Sequence, residues 1–147
     1  MTVVIDLRAA NGNDIPLVRR LLKANNLPFQ DISDKIDCIV IARNNGKNVG
    51  IGGLEKLGEY GLLRSIVIDE QFQGKGLGGQ LCNLLVKQAK VTGVKELYLL
   101  TTTAELYFSR LGFRKIQREQ APKAIQSTME FKELCPASSA LMRKTME

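Results

Sequence analysis

Apolar residues recur at two spacings along the chain, and the switches between them mark out its elements. Residues 3–7 are short and β-branched and read as a first strand. Asn13-Asp14 before Ile15-Pro16 is a helix start with Asp14 as its cap, and Ile15, Val18, Leu21 and Leu22 share one face of that helix. Asn25-Asn26 and Leu27-Pro28 end it. The polar stretch through Asp37 reads as a loop with one helical turn, either a plain connector or a segment that touches substrate. Runs at 38–42 and 49–54 flank Asn44-Asn45-Gly46, a hairpin signal, and a turn at 58–61 leads into a strand over 62–68, so three consecutive strands should be antiparallel. The pattern then changes: Gly74, Gly76, Gly78 and Gly79 open a helix carrying Leu81, Leu84, Leu85 and Ala89 and ending at Gly93. A buried strand at 96–101, a short helix at 104–111, a strand at 113–118, a helical stretch at 122–130 and a last strand at 138–144 complete the chain. The order predicts one α/β domain over residues 1–147, its mixed sheet antiparallel early and βαβ-linked later, with helices on both faces.

Composition narrows the chemistry. The 147 residues include no His, which excludes Ser-His-Asp and Cys-His centres and HExxH zinc sites, so any acid or base is Glu, Asp, Tyr, Lys, Cys or water. The net charge of +6 suits an anionic ligand, while 5% aromatic content and dispersed Lys and Arg argue against nucleic acid. Cys38, Cys82 and Cys135 are widely spaced with no CxxC pair, which implies no metal site and reduced thiols in a cytoplasmic protein. No basic leader precedes an apolar core in residues 1–10 and no apolar stretch reaches membrane-spanning length, so neither export nor a membrane partner is expected.

The segment Gln73-Gly74-Lys75-Gly76-Leu77-Gly78-Gly79 lies between an apolar strand and an amphipathic helix, where backbone N–H groups and the helix N-terminus converge on a phosphate site. Lys75 is followed by Gly76 rather than Ser or Thr, so this is not a P-loop. Gly74, Gly76 and Gly79 satisfy GxGxxG literally, but the next strand ends in Thr101-Thr102-Thr103 where a dinucleotide site wants an acid. Read as Gln-x-x-Gly-x-Gly, residues 73–78 resemble the pyrophosphate loop of the GNAT N-acetyltransferases. Leu7-Arg8-Ala9-Ala10 with Asp14, Ile66-Val67-Ile68, and Phe108-Ser109-Arg110-Leu111-Gly112-Phe113 resemble that family's opening, cofactor strand and closing motif in order.

The resemblance implies acetyl-CoA in a V-shaped opening between strands 62–68 and 96–101. The backbone of Ile66 and Ile68, with Val67 between them, would hold pantetheine, and the amides of Gln73, Gly74, Lys75, Gly76, Leu77, Gly78 and Gly79 the pyrophosphate. A substrate amine would attack the thioester directly, without an acyl-cysteine. Glu55 is the candidate base, with a solvated strand-end charge as the alternative. Tyr107 is the candidate acid, although the family's tyrosine position falls on Phe108, and one residue turns a helical side chain by about 100°. Thr101 replaces the family's asparagine, and Thr101 and Thr102 are candidate substrate contacts.

Strand alternation would put Arg64, Ile66 and Ile68 on one face unless a bulge intervenes. Arg64 is then a candidate fork for a substrate carboxylate, phosphinate or arsinate, against an internal ion pair with an acid such as Glu55 or a solvent-facing side chain. Leu63-Arg64-Ser65 before the cofactor strand, with Leu99-Leu100-Thr101 and the Phe-x-x-Leu-Gly-Phe end, resembles short bacterial N-acetylglutamate synthases and their relatives. Thr101-Thr102-Thr103-Ala104, Ala121-Pro122-Lys123-Ala124-Ile125 and the tail from Glu130-Phe131 to Leu134-Cys135-Pro136-Ala137-Ser138 resemble N-acetyltransferases associated with arsenic-resistance operons. A small acidic or arsenic-containing amine is the implied substrate, with a homodimer left open. An N-acetylglutamate synthase-like enzyme and a non-catalytic acyl-CoA-binding module stand as alternatives.

Overall fold

The computed structural model describes residues 4–146. The first strand, β1 (Asp6–Ala9), starts later than the apolar pattern suggests, and Val3 lies outside the described residues. Asp14 does not cap helix α1 (Ile15–Ala24) through its side chain; it closes a capping box with Asn11 around a single 3-10 turn and pairs with Arg8 at 2.9 Å. Helix α2 (Ile32–Lys35) is one turn within the polar loop.

Strands β2 (Ile39–Asn44), β3 (Lys47–Leu57) and β4 (Tyr60–Ile68) form the antiparallel meander, with Asn45 and Gly46 at positive φ in the first turn. Helix α3 (Leu77–Val91) carries the chain to β5 (Glu96–Thr101), parallel to β4. Helix α4 (Glu105–Arg110), β6 (Arg114–Ile116), the short α5 (Lys123–Gln126), a π-helical turn (Glu130–Leu134) and β7 (Ala140–Thr145) follow.

The seven strands run in the order β1-β2-β3-β4-β5-β7-β6. Among the described residues only β4 and β5 are a parallel pair, because β7 enters between β5 and β6 and pairs antiparallel with both. The βαβ-linked half expected from the sequence is therefore a single unit, and the rest of the sheet is antiparallel.

Helices cover both faces. On one, Leu77, Leu81, Leu85 and Ala89 of α3 pack on Leu63, Leu97, Leu99 and Phe113. A Cβ on Gly52 would lie 2.7 Å from the Leu85 side chain, so glycine there lets α3 approach the sheet closely. On the other face Val18, Leu21, Leu22 and Ile32 meet Ile39, Ile41, Ile51 and Val67, and Ala121 and Ile125 cover Leu62, Tyr98 and Leu141.

Candidate active-site cleft

β4 and β5 pair through Tyr60–Glu96, Gly61–Leu97 and Leu62–Tyr98 and then part. Each stays with its other neighbour, β4 with β3 as far as Ile68 and β5 with β7 as far as Thr101. The parting strands leave a cleft of about 840 Å³ lined by Leu63, Ser65, Ile66 and Ile68 on one side and Leu99, Leu100 and Thr101 on the other.

A β-bulge bends β4 where the opening begins. The register on β3 passes from Val67–Ile51 to Arg64–Gly53, so Gly52 faces two residues, and Ser65 takes φ +60°. The bulge also reverses the alternation expected for this strand. Leu63, Ile66 and Ile68 pack on the α3 face, whereas Leu62 and Val67 pack on the opposite one, and Arg64 meets Asp31 from the α1–α2 connection. Arg64 and Ile66, expected on one face, therefore lie on opposite faces.

The glycine loop is tied to the end of β4 by the Gln73 side chain, which donates to the Ile68 carbonyl at 2.9 Å. Gly74 and Gly76 have φ of +83° and +76°, the left-handed region that a side chain penalises. Gly76 begins α3 with no side-chain cap, leaving the first-turn N–H groups suited to an anion. A Cβ at Gly74, Gly76 or Gly79 would meet no atom within 4 Å, so the loop's surface is open. At Gly78 a Cβ would lie 2.8 Å from the Tyr107 hydroxyl, which places that tyrosine over the first turn of α3. Tyr107 is 40% exposed, lines the cleft and packs edge-on against Phe108, which in turn packs on Phe113. Partial burial raises the Tyr107 pKa, so at neutral pH the hydroxyl carries its proton. Thr101 and Thr102 line the opposite wall, and the Thr101 hydroxyl accepts from the Ala104 N–H at 3.0 Å.

Beneath the bulge lies a buried charge cluster. Arg64, its side chain fully buried, forks onto Asp31 with contacts of 2.5 and 2.6 Å and reaches Glu55 at 3.3 Å. Its Nε lies 3.3 Å from the Ser65 hydroxyl and 3.8 Å from Glu130. Burial opposes the charge, but the surrounding carboxylates outweigh it and hold the guanidinium ionised. The fork is thus filled from within the chain, chiefly by Asp31, rather than held open for a substrate anion. Glu55 takes Lys35 on one oxygen at 3.1 Å and Arg64 on the other, and it is not among the residues lining the cleft. The structure therefore does not bring the expected base to the acceptor side.

Sequence reasoning missed Asp31 and Glu130, which complete the cluster, and Lys23, which lines the cleft. For Glu130 a signal existed, because it opens the tail motif whose residues Leu134, Cys135 and Pro136 form one cleft wall with the adjoining Ser139. Arg118 holds that wall in place by donating to the Phe131 carbonyl and to both Ser139 oxygens while stacking 4.4 Å from the Phe131 ring.

Burial pushes the Cys82 and Cys135 thiols up to about 12 and raises Cys38 as well, so none is a thiolate near neutral pH. Cys135→Ser is expected to retain most turnover; a folded variant that binds acetyl-CoA yet is inactive would show that the thiol takes part. Among the described residues no cluster of three or more metal-ligating side chains occurs, and no helix is long and apolar enough to cross a membrane.

Residues 35–115, more than half of the chain, match the acetyltransferase (GNAT) domain family. The chain is 30% identical over 104 residues to an uncharacterized N-acetyltransferase of Chlorobaculum tepidum, covering 65% of this chain and 62% of that protein. It is 29% identical over 121 residues to an amino-acid acetyltransferase of Mycobacterium tuberculosis, covering 76% and 69%. The chain thus spans less than two thirds of the Chlorobaculum relative's length. Among solved structures, the Neisseria gonorrhoeae N-acetylglutamate synthase complexed with coenzyme A and N-acetyl-glutamate superposes with a TM-score of 0.84 at 18% identity, over 100% of this chain and 36% of that one. A Mycobacterium tuberculosis protein in complex with CoA gives 0.80 at 19%, over 97% and 99%. Identities this low speak for the fold, whereas the domain match speaks for descent, and on that match the chain belongs to the GNAT acetyltransferase family.

Proposed function

We propose that this chain is an acetyl-CoA-dependent N-acetyltransferase in which a small amine attacks the thioester directly. The observation that carries the reading is the wedge between β4 and β5 with an uncapped helix N-terminus and glycine loop at its edge. In this reading the backbone of Ile66, Val67 and Ile68 holds pantetheine along the unpaired side of β4. The amides of residues 73–79 hold the pyrophosphate, with Lys75 adding positive charge. The acetyl group then faces Ser65 and the tail wall.

Tyr107 is the proposed donor of a proton to the leaving thiolate. Tyr107→Phe is expected to lower kcat by about 10²-fold, within the usual range for a lost general acid, with the KM for acetyl-CoA unchanged. An unaltered kcat would leave the ring a packing role.

Thr101, Thr102 and the tail wall form the acceptor side. With the Arg64 fork filled, Lys23 is the remaining cation among the lining residues, and its position supports an acceptor bearing an acid group. The tail motifs extend this to an amino-acid-like or arsenic-containing amine, linked to arsenic resistance. The amino-acid acetyltransferase relative supports a second reading in which the acceptor is an ordinary amino acid. Three free cysteines support a reducing, cytoplasmic setting. Thiol release from acetyl-CoA, followed across amino acids, phosphonate and arsenical analogues and polyamines, tests the proposal. Turnover with an acidic amine is expected, and no release with any amine would contradict it.

A further inference from the structure

We propose that Glu130 is the proton acceptor for the substrate amine, an assignment that rests on the acetyltransferase reading above. Glu130 is 4% exposed, lies against the cleft and opens the π-helical turn that the Cys135 N–H closes on the Glu130 carbonyl at 2.9 Å. Single π turns recur at functional sites because they displace one residue from the helical ladder. Of the three buried carboxylates around Arg64, Asp31 is taken by the fork and Glu55 by two cations. Glu130 instead has its Oε1 3.8 Å from Arg64 Nε, while its Oε2 is buried without any partner. An orphaned carboxyl oxygen in a closed site is costly unless something arrives to bond it.

Charge counting gives the same answer. Arg64 and Lys35 balance Asp31 and Glu55, so Glu130 is a third carboxylate with no cation of its own. Burial pushes it up to about 7, opposed by Arg64, with Asp31 and Glu55 adding to the rise. The Cys135 thiol beside it is itself neutral. A base poised near 7 suits proton removal from an ammonium at working pH.

The acceptor enters as R–NH3+ and gives one proton to the Glu130 carboxylate, within hydrogen-bond reach or through one water. The freed lone pair forms the C–N bond to the acetyl carbon. The C–S bond breaks with its electrons on the CoA sulfur, the Tyr107 hydroxyl protonates that thiolate, and the second proton leaving nitrogen restores the Tyr107 hydroxyl. Products are R–NH–acetyl, CoA–SH and a protonated Glu130, which loses its proton to solvent.

The test compares wild type with Glu130→Gln and Glu130→Asp. For the wild type, kcat/KM should rise with pH up to about 7 and then level off. The Gln variant should lose about 10²-fold or more in kcat/KM and lose that limb, with acetyl-CoA affinity unchanged, and the Asp variant should keep a limb at reduced rate. A second readout does not need turnover. The folded chain holds a proton that the unfolded chain, with an ordinary glutamate, has already released above about pH 4.5. Wild-type stability should therefore fall as pH rises from 5 to 8, and the Gln variant should lack that decline. A Gln variant with near wild-type kcat/KM and the limb intact overturns the assignment while leaving acetyl transfer standing. If the Gln variant does not fold, an Asp variant matching wild type in rate and limb overturns it equally. A wild type that releases no CoA with any amine defeats the acetyltransferase reading, and this assignment with it.

Discussion

Replacing Arg64 by Ala is expected to destabilise the fold by about 3–5 kcal/mol, because removing one partner of a buried ionic cluster leaves the others charged and uncompensated. Asp31 would lose the two contacts at 2.5 and 2.6 Å that hold it, and three carboxylates would remain around a single cation, the half-exposed Lys35. The same fork joins the α1–α2 connection to β4 just before the bulge, so both the acceptor side and the cofactor strand should loosen together. This differs from a substrate-binding arginine, whose loss would leave acetyl-CoA affinity intact. Arg64→Lys should recover little, since an ammonium cannot span both Asp31 oxygens. Urea unfolding with acetyl-CoA titration on the same samples checks the expectation. A loss below about 1 kcal/mol, typical of exposed pairs, would contradict the cluster's structural role.

Gly76→Asp is expected to weaken acetyl-CoA binding by about 2–3 kcal/mol, on the order of 10²-fold. Position 76 combines a φ of +76° with the start of α3, so the new carboxylate would occupy the place where first-turn amides await a phosphate. Asp tolerates the left-handed region better than most residues, which makes charge rather than backbone strain the main cause. Gly76→Asn provides the control, having similar shape without the charge, and should lose much less. Because a ligand selective for the folded state raises its melting temperature, the effect can be read as loss of the acetyl-CoA-induced shift. Equal weakening by Asn and Asp would make the loop's conformation, not its anion site, the controlling feature.

Local signals in the sequence located the glycine loop, the meander and both major helices, since each depends on residues adjacent in the chain. The insertion of β7 between β5 and β6 was not legible, because no local pattern records which edge a returning strand takes. Arg64 shows the sharper difficulty. A single extra residue at Ser65 exchanges the faces of every side chain beyond it, so alternation counted from Leu62 put Ile66 and Ile68 on the wrong side. Glu55, the ion-pair partner the sequence offered, does reach Arg64, but Asp31 and Glu130 stand 33 and 66 positions away in sequence, and only the fold brings them to it. Glu55 looked available because its charge ended an apolar run; in the fold that same charge is consumed by Lys35 and Arg64. The tail motif did point to the cleft, but as a resemblance, and the wall it builds depends on Arg118 bridging Phe131 and Ser139.

In the proposed complex the wedge between β4 and β5 receives acetyl-CoA with its pyrophosphate on the glycine loop. Backbone amide shifts followed during a titration of coenzyme A into labelled protein test it most directly. The largest changes are expected at residues 73–79, followed by residues 63–68 of β4, with a saturation point that Gly76→Asp moves to about 10²-fold higher coenzyme A. Changes confined to other surfaces, or none at saturating coenzyme A, would contradict it.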